Sequence, residues 1–292
     1  MEINFHKITI EDKTFADKIF KDSDIRFCEY TFGNMYCWGS ASGLEIFTSD
    51  DLIIFGYPKS QKFYMPAGSS DNVKYALEFL KSSYPKLTIM ALSESDKDML
   101  KIYFDNEFEL TEDTRAFDYI YESEKLQSLS GKKLASKRNH INAFLSDGIW
   151  RTEIITCENT SELLTFNKKW CRNLCGHMSG SLASEMCAVE VGINNFEKLG
   201  FSGLMLFKND KLAAYSYGEP INSDTFCVHV EKADVDIRGA YQMINREFVR
   251  TFCKNYKYVN REDDAGDEGL RRAKLSYYPT DVGRKYKAVK RK

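Results

Sequence analysis

Alternation of apolar and polar positions divides the chain into short elements of two kinds. Thr9-Ile10-Glu11-Asp12 has the spacing of a capping box and predicts an amphipathic helix through Phe20. Asn34 to Trp38, Leu44 to Thr48 and Asp51 to Tyr57 predict strands, the last two joined at Ser49-Asp50 as a hairpin. Asp71 starts a helix to Lys81, and Leu87 to Ala91 is a buried strand by its apolar run. Ser93 and Asp96 open a helix to Phe104, and Arg115 to Tyr121 alternates as a strand. After Ser130-Gly131, Lys132 to Ser146 keeps Leu134, Ile141, Phe144 and Leu145 at helical spacing, with Lys133, Lys137 and His140 on another face.

Trp150 to Thr156 then predicts a strand, Asn159 to Leu174 a helix, and Ser181 to Leu199 a second helix that Gly200 stops. Ser202 to Phe207, Leu212 to Glu219 and Thr225 to Glu231 form a three-strand meander. A long amphipathic helix covers Gly239 to Asn255, and Tyr256 to Val259 is a strand. The charged run Asn260 to Pro279 follows, its Leu275-Ser276-Tyr277-Tyr278 again strand-like. The order in 129–292 is a longer version of that in 1–128. Two stacked α+β domains are expected, the second beginning with the basic linking helix.

Composition narrows the class. With 292 residues, 43% of them hydrophobic, the chain can bury a core of that size. No run approaches the ~18 apolar residues of a membrane span, and the first residues lack a signal-peptide pattern. Eight cysteines without scaffold spacing then predict reduced thiols and a cytoplasmic protein. A net charge of −2 weighs against a general nucleic-acid binder. Cations nevertheless cluster at Arg284 to Lys292 and at Lys132, Lys133, Lys137 and Arg138, patches that suit phosphates at defined points. For the first cluster a solvated tail is the plainer expectation.

Three places carry candidate chemistry. Along Thr225 to Glu231, alternation puts Phe226, Val228 and Val230 on one face and Cys227, His229 and Glu231 on the other. The histidine and glutamate there could act as general bases or line an inert polar surface. Arg238-Gly239-Ala240 at a helix start offers backbone N–H groups to an anion, although such glycines also occur without a ligand. Asn260 to Pro279 is dense in opposed charges that either line a cleft or pair with one another. Cys171, Cys175, His177 and Cys187 lack a fixed second pair, so no metal is expected. Gly-x-Ser-x-Gly, Walker A and His-Glu-x-x-His motifs are absent.

Gly131 to Phe144, Gly239-Ala240-Tyr241-Gln242-Met243-Ile244-Asn245 and Asn260-Arg261-Glu262-Asp263 through Gly269-Leu270-Arg271-Arg272-Ala273-Lys274-Leu275-Ser276-Tyr277-Tyr278-Pro279 together resemble one family. It is that of the stand-alone relatives of the phosphatidylglycerol lysyltransferase C-terminal domain, and the resemblance covers essentially the whole chain. It implies a tandem of N-acetyltransferase-like (GNAT) α+β domains, mixed central sheets flanked by helices. Like the similar Fem-type enzymes, such a protein would move an acyl group from aminoacyl-tRNA or acyl-CoA to an amine or hydroxyl. The acceptor would be a small molecule, lipid headgroup or peptide, attacking directly.

On that resemblance Glu231 and His229 accept the proton and Tyr277 is a general acid. Backbone groups near Tyr215 and Tyr217 hold the oxyanion if their strand diverges from its neighbour. Arg238, Gly239 and Ala240 take a phosphate, with Asn245 beside them on the donor side. Lys132, Lys137 and Arg138 take further phosphates of a tRNA or carrier. Arg261, Glu262, Asp263, Arg271 and Lys274 line the cleft. Two other classes remain open: a non-catalytic binding module with a degenerate donor site, and a nonspecific nucleic-acid binder.

Overall fold

The structure is a computed structural model that describes residues 2–21, 23–174 and 180–291. In chain order its elements are His6–Lys7 (β1), Lys13–Phe20 (α1), Phe32–Ser42 (α2), Glu45–Ser49 (β2), Leu52–Tyr57 (β3), Lys62–Tyr64 (β4), Ala67–Gly68 (β5) and Ser70–Ser83 (α3). Next come Thr88–Leu92 (β6), Glu94–Tyr103 (α4), Phe108–Glu112 (β7), Asp118–Glu122 (β8), Ser123–Ser128 (α5), Ala135–Leu145 (α6), Trp150–Ile154 (β9) and Thr160–Leu174 (α7). The rest are Gly180–Asn194 (α8), Phe196–Leu199 (α9), Ser202–Lys208 (β10), Lys211–Pro220 (β11), Thr225–Ala233 (β12), Ala240–Phe252 (α10), Tyr258–Asn260 (β13), Glu268–Leu275 (α11), Asp281–Gly283 (β14) and Tyr286–Lys290 (β15).

Local signals account for most of these boundaries. Both predicted capping boxes form: Asp12 reaches back to the Thr9 N–H, and Asp96 to that of Ser93. Gly200 closes α9 with φ +70°, a conformation that favours glycine. Asn34 to Trp38, expected as a strand, lies instead inside helix α2. Thr31 Oγ1 caps that helix by accepting from the Asn34 N–H. Phe32, Gly33, Asn34, Met35, Cys37 and Gly39 are all buried, so no polar stripe betrays the helical period. Leu275-Ser276-Tyr277-Tyr278 likewise ends α11 and turns, rather than forming a strand.

Two mixed sheets result. The first runs β1-β2-β3-β4-β6-β15-β7, with β5 also on β3, and the second runs β14-β8-β13-β12-β11-β10-β9. Each half of the chain, divided at 128/129, contributes to the other's sheet. Strand β8 sits between β14 and β13 of the second sheet, and β15 between β6 and β7 of the first. The basic C-terminal run is therefore no solvated tail. Tyr286 and Ala288 point into the core of the first sheet while Lys287 and Val289 point away.

The crossover is fastened by Lys285, which has no exposed surface. Its ammonium lies 2.6 Å from Glu29 Oε2 and 2.9 Å from Asp118 Oδ1. Asp118 Oδ2 also accepts from the Cys28 N–H and from Asn260 Nδ2. Helix α2 packs on α8 within a core shared by both sheets, while α10 and α6 cover the other face of the second sheet. The cysteine–histidine group at 171, 175 and 177 lies outside the described residues or their side chains.

Candidate functional site

Strands β12 and β13 run parallel and pair only at Thr225–Tyr258, Phe226–Val259 and Cys227–Asn260. Beyond Cys227 they part. Strand β12 continues to Ala233 with no strand neighbour on that side among the described residues, while the chain after β13 turns into the charged loop. The divergence expected near Tyr215 to Gly218 is thus displaced by one strand, because β11 keeps its pairing with β12 as far as Pro220. Tyr215 and Tyr217 are buried in an aromatic cluster with Phe166, Phe196 and Phe201.

A bulge changes what β12 presents to the gap. Tyr217 pairs with Val230 and Gly218 with Val228, which leaves His229 as an extra residue. The expected alternation breaks there. Val230 packs with Cys227, and Glu231 turns to the side of Phe226 and Val228, facing α10. His229 and Glu231 consequently do not share one face. They belong to two separate polar networks.

In the first network His229 Nδ1 lies 2.8 Å from Glu262 Oε1 and its Nε2 lies 3.0 Å from Glu219 Oε1. Glu219 also accepts from the Gly33 N–H, and Glu262 from Asn34 Nδ2, so α2 closes the network from the other half of the chain. Burial opposes charging the imidazole. The sulfur of Cys227 and the two carboxylates outweigh it and raise His229 well above its ordinary 6.5. Burial pushes the Cys227 thiol itself up to about 12. With a carboxylate at each ring nitrogen, the imidazole offers neither nitrogen freely to a substrate in this arrangement. Cys227, His229 and Glu262 place three ligand atoms within 4.8 Å, as do Cys28, Glu29 and Asp118. The ammonium of Lys285 lies against the two carboxylates of the second set.

The second network centres on Glu231, whose Oε2 accepts from Asn245 Nδ2 at 2.8 Å and Oε1 from Arg261 Nη2 at 2.9 Å. The Arg261 guanidinium lies 4.6 Å over the Tyr277 ring, and Lys137 Nζ covers the same ring at 4.2 Å. Tyr277 is buried, and burial raises its hydroxyl far above the ordinary 10, which suits a packing platform better than an acid. Three polar atoms here have no hydrogen-bond partner among the described residues: Arg261 Nη1, Asn245 Oδ1 and the hydroxyl of Ser216, the residue paired across the ladder with Glu231.

The charged loop is held internally. Lys274, buried in α11, donates to the carbonyls of Arg261 (2.6 Å) and Asp263. Arg271 grips Asp264 through Nε at 2.8 Å and Nη2 at 3.2 Å, and Tyr119 donates to the same carboxylate at 2.6 Å. Asp263 differs. It forms no ion pair among the described residues, its Oδ1 accepts only the Ala265 N–H, and burial raises it from 3.8 to about 6.

Two cavities meet at this loop. One, of about 270 Å³, is walled by His229, Glu231, Tyr241, Arg261, Glu262, Asp263 and Lys274, with Trp38 and Leu270 partly exposed at its rim. The second, of about 410 Å³, is lined by Glu29, Glu262, Asp263 and the rings of Trp38, Tyr57 and Tyr64, and by no cationic side chain among the described residues. Asn34, Trp38, Glu262, Asp263 and Ala265 belong to both. Asn34, Trp38 and Glu219 escape a reading of the sequence: the first two lie in the segment that resembles a strand, and nothing distinguishes Glu219 from any strand-end acid.

Other candidates lie apart from the cavities. Gly239 has φ +85°, and a Cβ there would sit 2.1 Å from the His140 carbonyl, so close packing on α6 explains the glycine. The Ala240 N–H is donated to Ile237 O. Arg238-Gly239-Ala240 therefore builds no open pyrophosphate cradle. Arg238 and Lys132 are exposed, and Arg138 donates to the carbonyls of Leu129 and Gly131, tying the turn before α6.

Parted parallel strands with a helix between them, in a two-sheet tandem, define a GNAT-like α+β fold. The chain belongs to the family described as phosphatidylglycerol lysyltransferase, C-terminal, matched over residues 20–289. It resembles a conserved protein of unknown function from Bacteroides thetaiotaomicron at 36% identity, covering 99% of this chain and 100% of the other with TM-score 0.92. L-PGS from Bacillus licheniformis is 15% identical over 99% and 94% of the two chains, with TM-score 0.69. A GNAT-family acetyltransferase from Colwellia psychrerythraea is 10% identical over 100% of both, with TM-score 0.53. These last two share the fold alone. An uncharacterised protein of Mycoplasmoides gallisepticum is 26% identical over 171 residues, 58% of this chain and 54% of its own length, so the match spans about half of that relative. No helix among the described residues is long and apolar enough to cross a membrane.

Proposed function

We propose that the chain is an aminoacyltransferase-type enzyme that joins an activated acyl ester to an amine. The observation that carries this reading is the pair of cavities back to back at Glu262 to Ala265, where β12 leaves β13. One cavity borders the edge of β12 that no strand covers among the described residues, where backbone groups can face a carbonyl oxygen as it becomes an oxyanion. The other combines carboxylates with aromatic rings, which suits a protonated amine. Asp263 stands in the wall between them and ionises near neutrality, a property of a proton acceptor. The protonated amine loses one proton to Asp263, its nitrogen bonds to the ester carbon, and the ester C–O bond breaks, the departing oxygen taking a second proton from that nitrogen and leaving as a hydroxyl. Closure of the Gly239 loop favours an aminoacyl-tRNA donor over acyl-CoA.

The same closure supports a second reading, a binding module without turnover. Labelled aminoacyl-tRNA and acyl-CoA, each incubated with amine- and hydroxyl-bearing acceptors, separate the two. Label passing from the tRNA to amines, and reduced about 10²–10⁴-fold in Asp263→Asn, is the expected result. Stabilisation by ligand with no transfer from either donor would leave the binding module.

A further inference from the structure

Strand β9 is the outer strand of the second sheet, and all five of its residues are exposed. Its odd-numbered neighbours face inward: the Ile155 N–H is donated to Gly203 O, and Ile149 O accepts from the Asn209 N–H. In an antiparallel ladder this leaves the N–H and C=O groups of Trp150, Thr152 and Ile154 pointing outward. The Ile154 carbonyl takes Asn159 Nδ2 at 3.0 Å; no strand pairs with this edge among the described residues. Edges of this kind are normally blunted by lysine, proline or a covering element. Here the margin is instead apolar, with Leu145, Ile149, Trp150 and Ile154 between 37% and 69% exposed.

The residues of β9 are complementary to themselves. Turned through a two-fold axis at Thr152, the strand sets Trp150 against Ile154 of a second copy and Arg151 against Glu153. The outward-facing residues then form the hydrogen-bonded pairs, and the charges fall at the non-hydrogen-bonded positions, where side chains approach most closely. A slip of two residues in one direction sets Arg151 against Arg151, and in the other Glu153 against Glu153. Charge thus selects one register. Within the chain Arg151 already pairs with Glu153, so both side chains stand on one face, ready to exchange partners.

We infer that β9 is a homodimerisation edge, through which two copies join their second sheets into one continuous antiparallel sheet about Thr152. Light scattering and sedimentation of the full chain, from micromolar to about 100 µM, test it. The expected mass is twice 33.7 kDa. Glu153→Arg and Arg151→Glu each place like charges opposite one another and raise the dimer dissociation constant at least about tenfold. Arg151→Glu combined with Glu153→Arg restores the dimer. Thr152→Pro removes an outward N–H and also gives monomer, with circular dichroism confirming that each variant is folded. A wild-type chain that stays monomeric throughout, or a dimer indifferent to Glu153→Arg and Thr152→Pro, overturns the inference.

Discussion

Asp263 and His229 line the same cavity, and both lose stabilisation as pH rises, over different ranges. Asp263 has its folded value raised from 3.8 to about 6 by burial, so ionising it costs stability. That cost is absent below pH 4, grows as pH rises toward 6, and is constant above. Asp263→Asn should therefore be more stable than wild type by about 1–3 kcal/mol at pH 7, with the difference vanishing near pH 4 in urea titrations. Transfer activity should rise through pH 6 in the wild type and be lost in the variant. His229 is raised above 6.5, so its contribution is complete below 6.5 and is lost as pH climbs through its higher folded value. His229→Gln removes the cation from between the buried Glu219 and the half-buried Glu262 and should cost about 3–5 kcal/mol near pH 6. A loss smaller than about 1 kcal/mol would mean that the imidazole is neutral.

Among elements, the loop 261–275 and strand β12 show what the chain reveals on its own and what it conceals. Their residues are recognisable because charges so dense mark a polar loop, and Arg261, Glu262, Asp263 and Lys274 do line the cavities. Their roles are not legible, since a single bulge at His229 redirects Glu231 and leaves no mark in the amino-acid order. Helix α2 is hidden for a related reason: aromatic and small residues buried nearly all round give no period to read. Lys274 acts as a latch across its loop, so Lys274→Met should orphan the carbonyls of Arg261 and Asp263. A loss of about 1–3 kcal/mol is expected, together with faster hydrogen exchange in 261–265. Gly239→Ala meets both a positive φ and the His140 carbonyl. It should lower stability by about 2 kcal/mol or more in thermal melts.

For the whole molecule, the helix–strand order within each half is visible, but the exchange of β8 and β15 is not. Lys287 and Lys290 disguise β15 as a basic tail, although Tyr286 and Ala288 keep the strand alternation beneath them. Lys285→Met would leave the fully buried Asp118, and Glu29 at the wall of the second cavity, uncompensated, at an expected ~3–5 kcal/mol, about half or more of a typical domain's stability. The exchange also sets a timetable. Synthesis runs from the N-terminal side, so β6 and β7 must wait, with the edges that take β15 bare, until Tyr286 to Lys290 have emerged. The first half therefore cannot be finished before the second exists, and a nascent chain stalled anywhere short of Tyr286 is a client for chaperones, whatever its own core could bury.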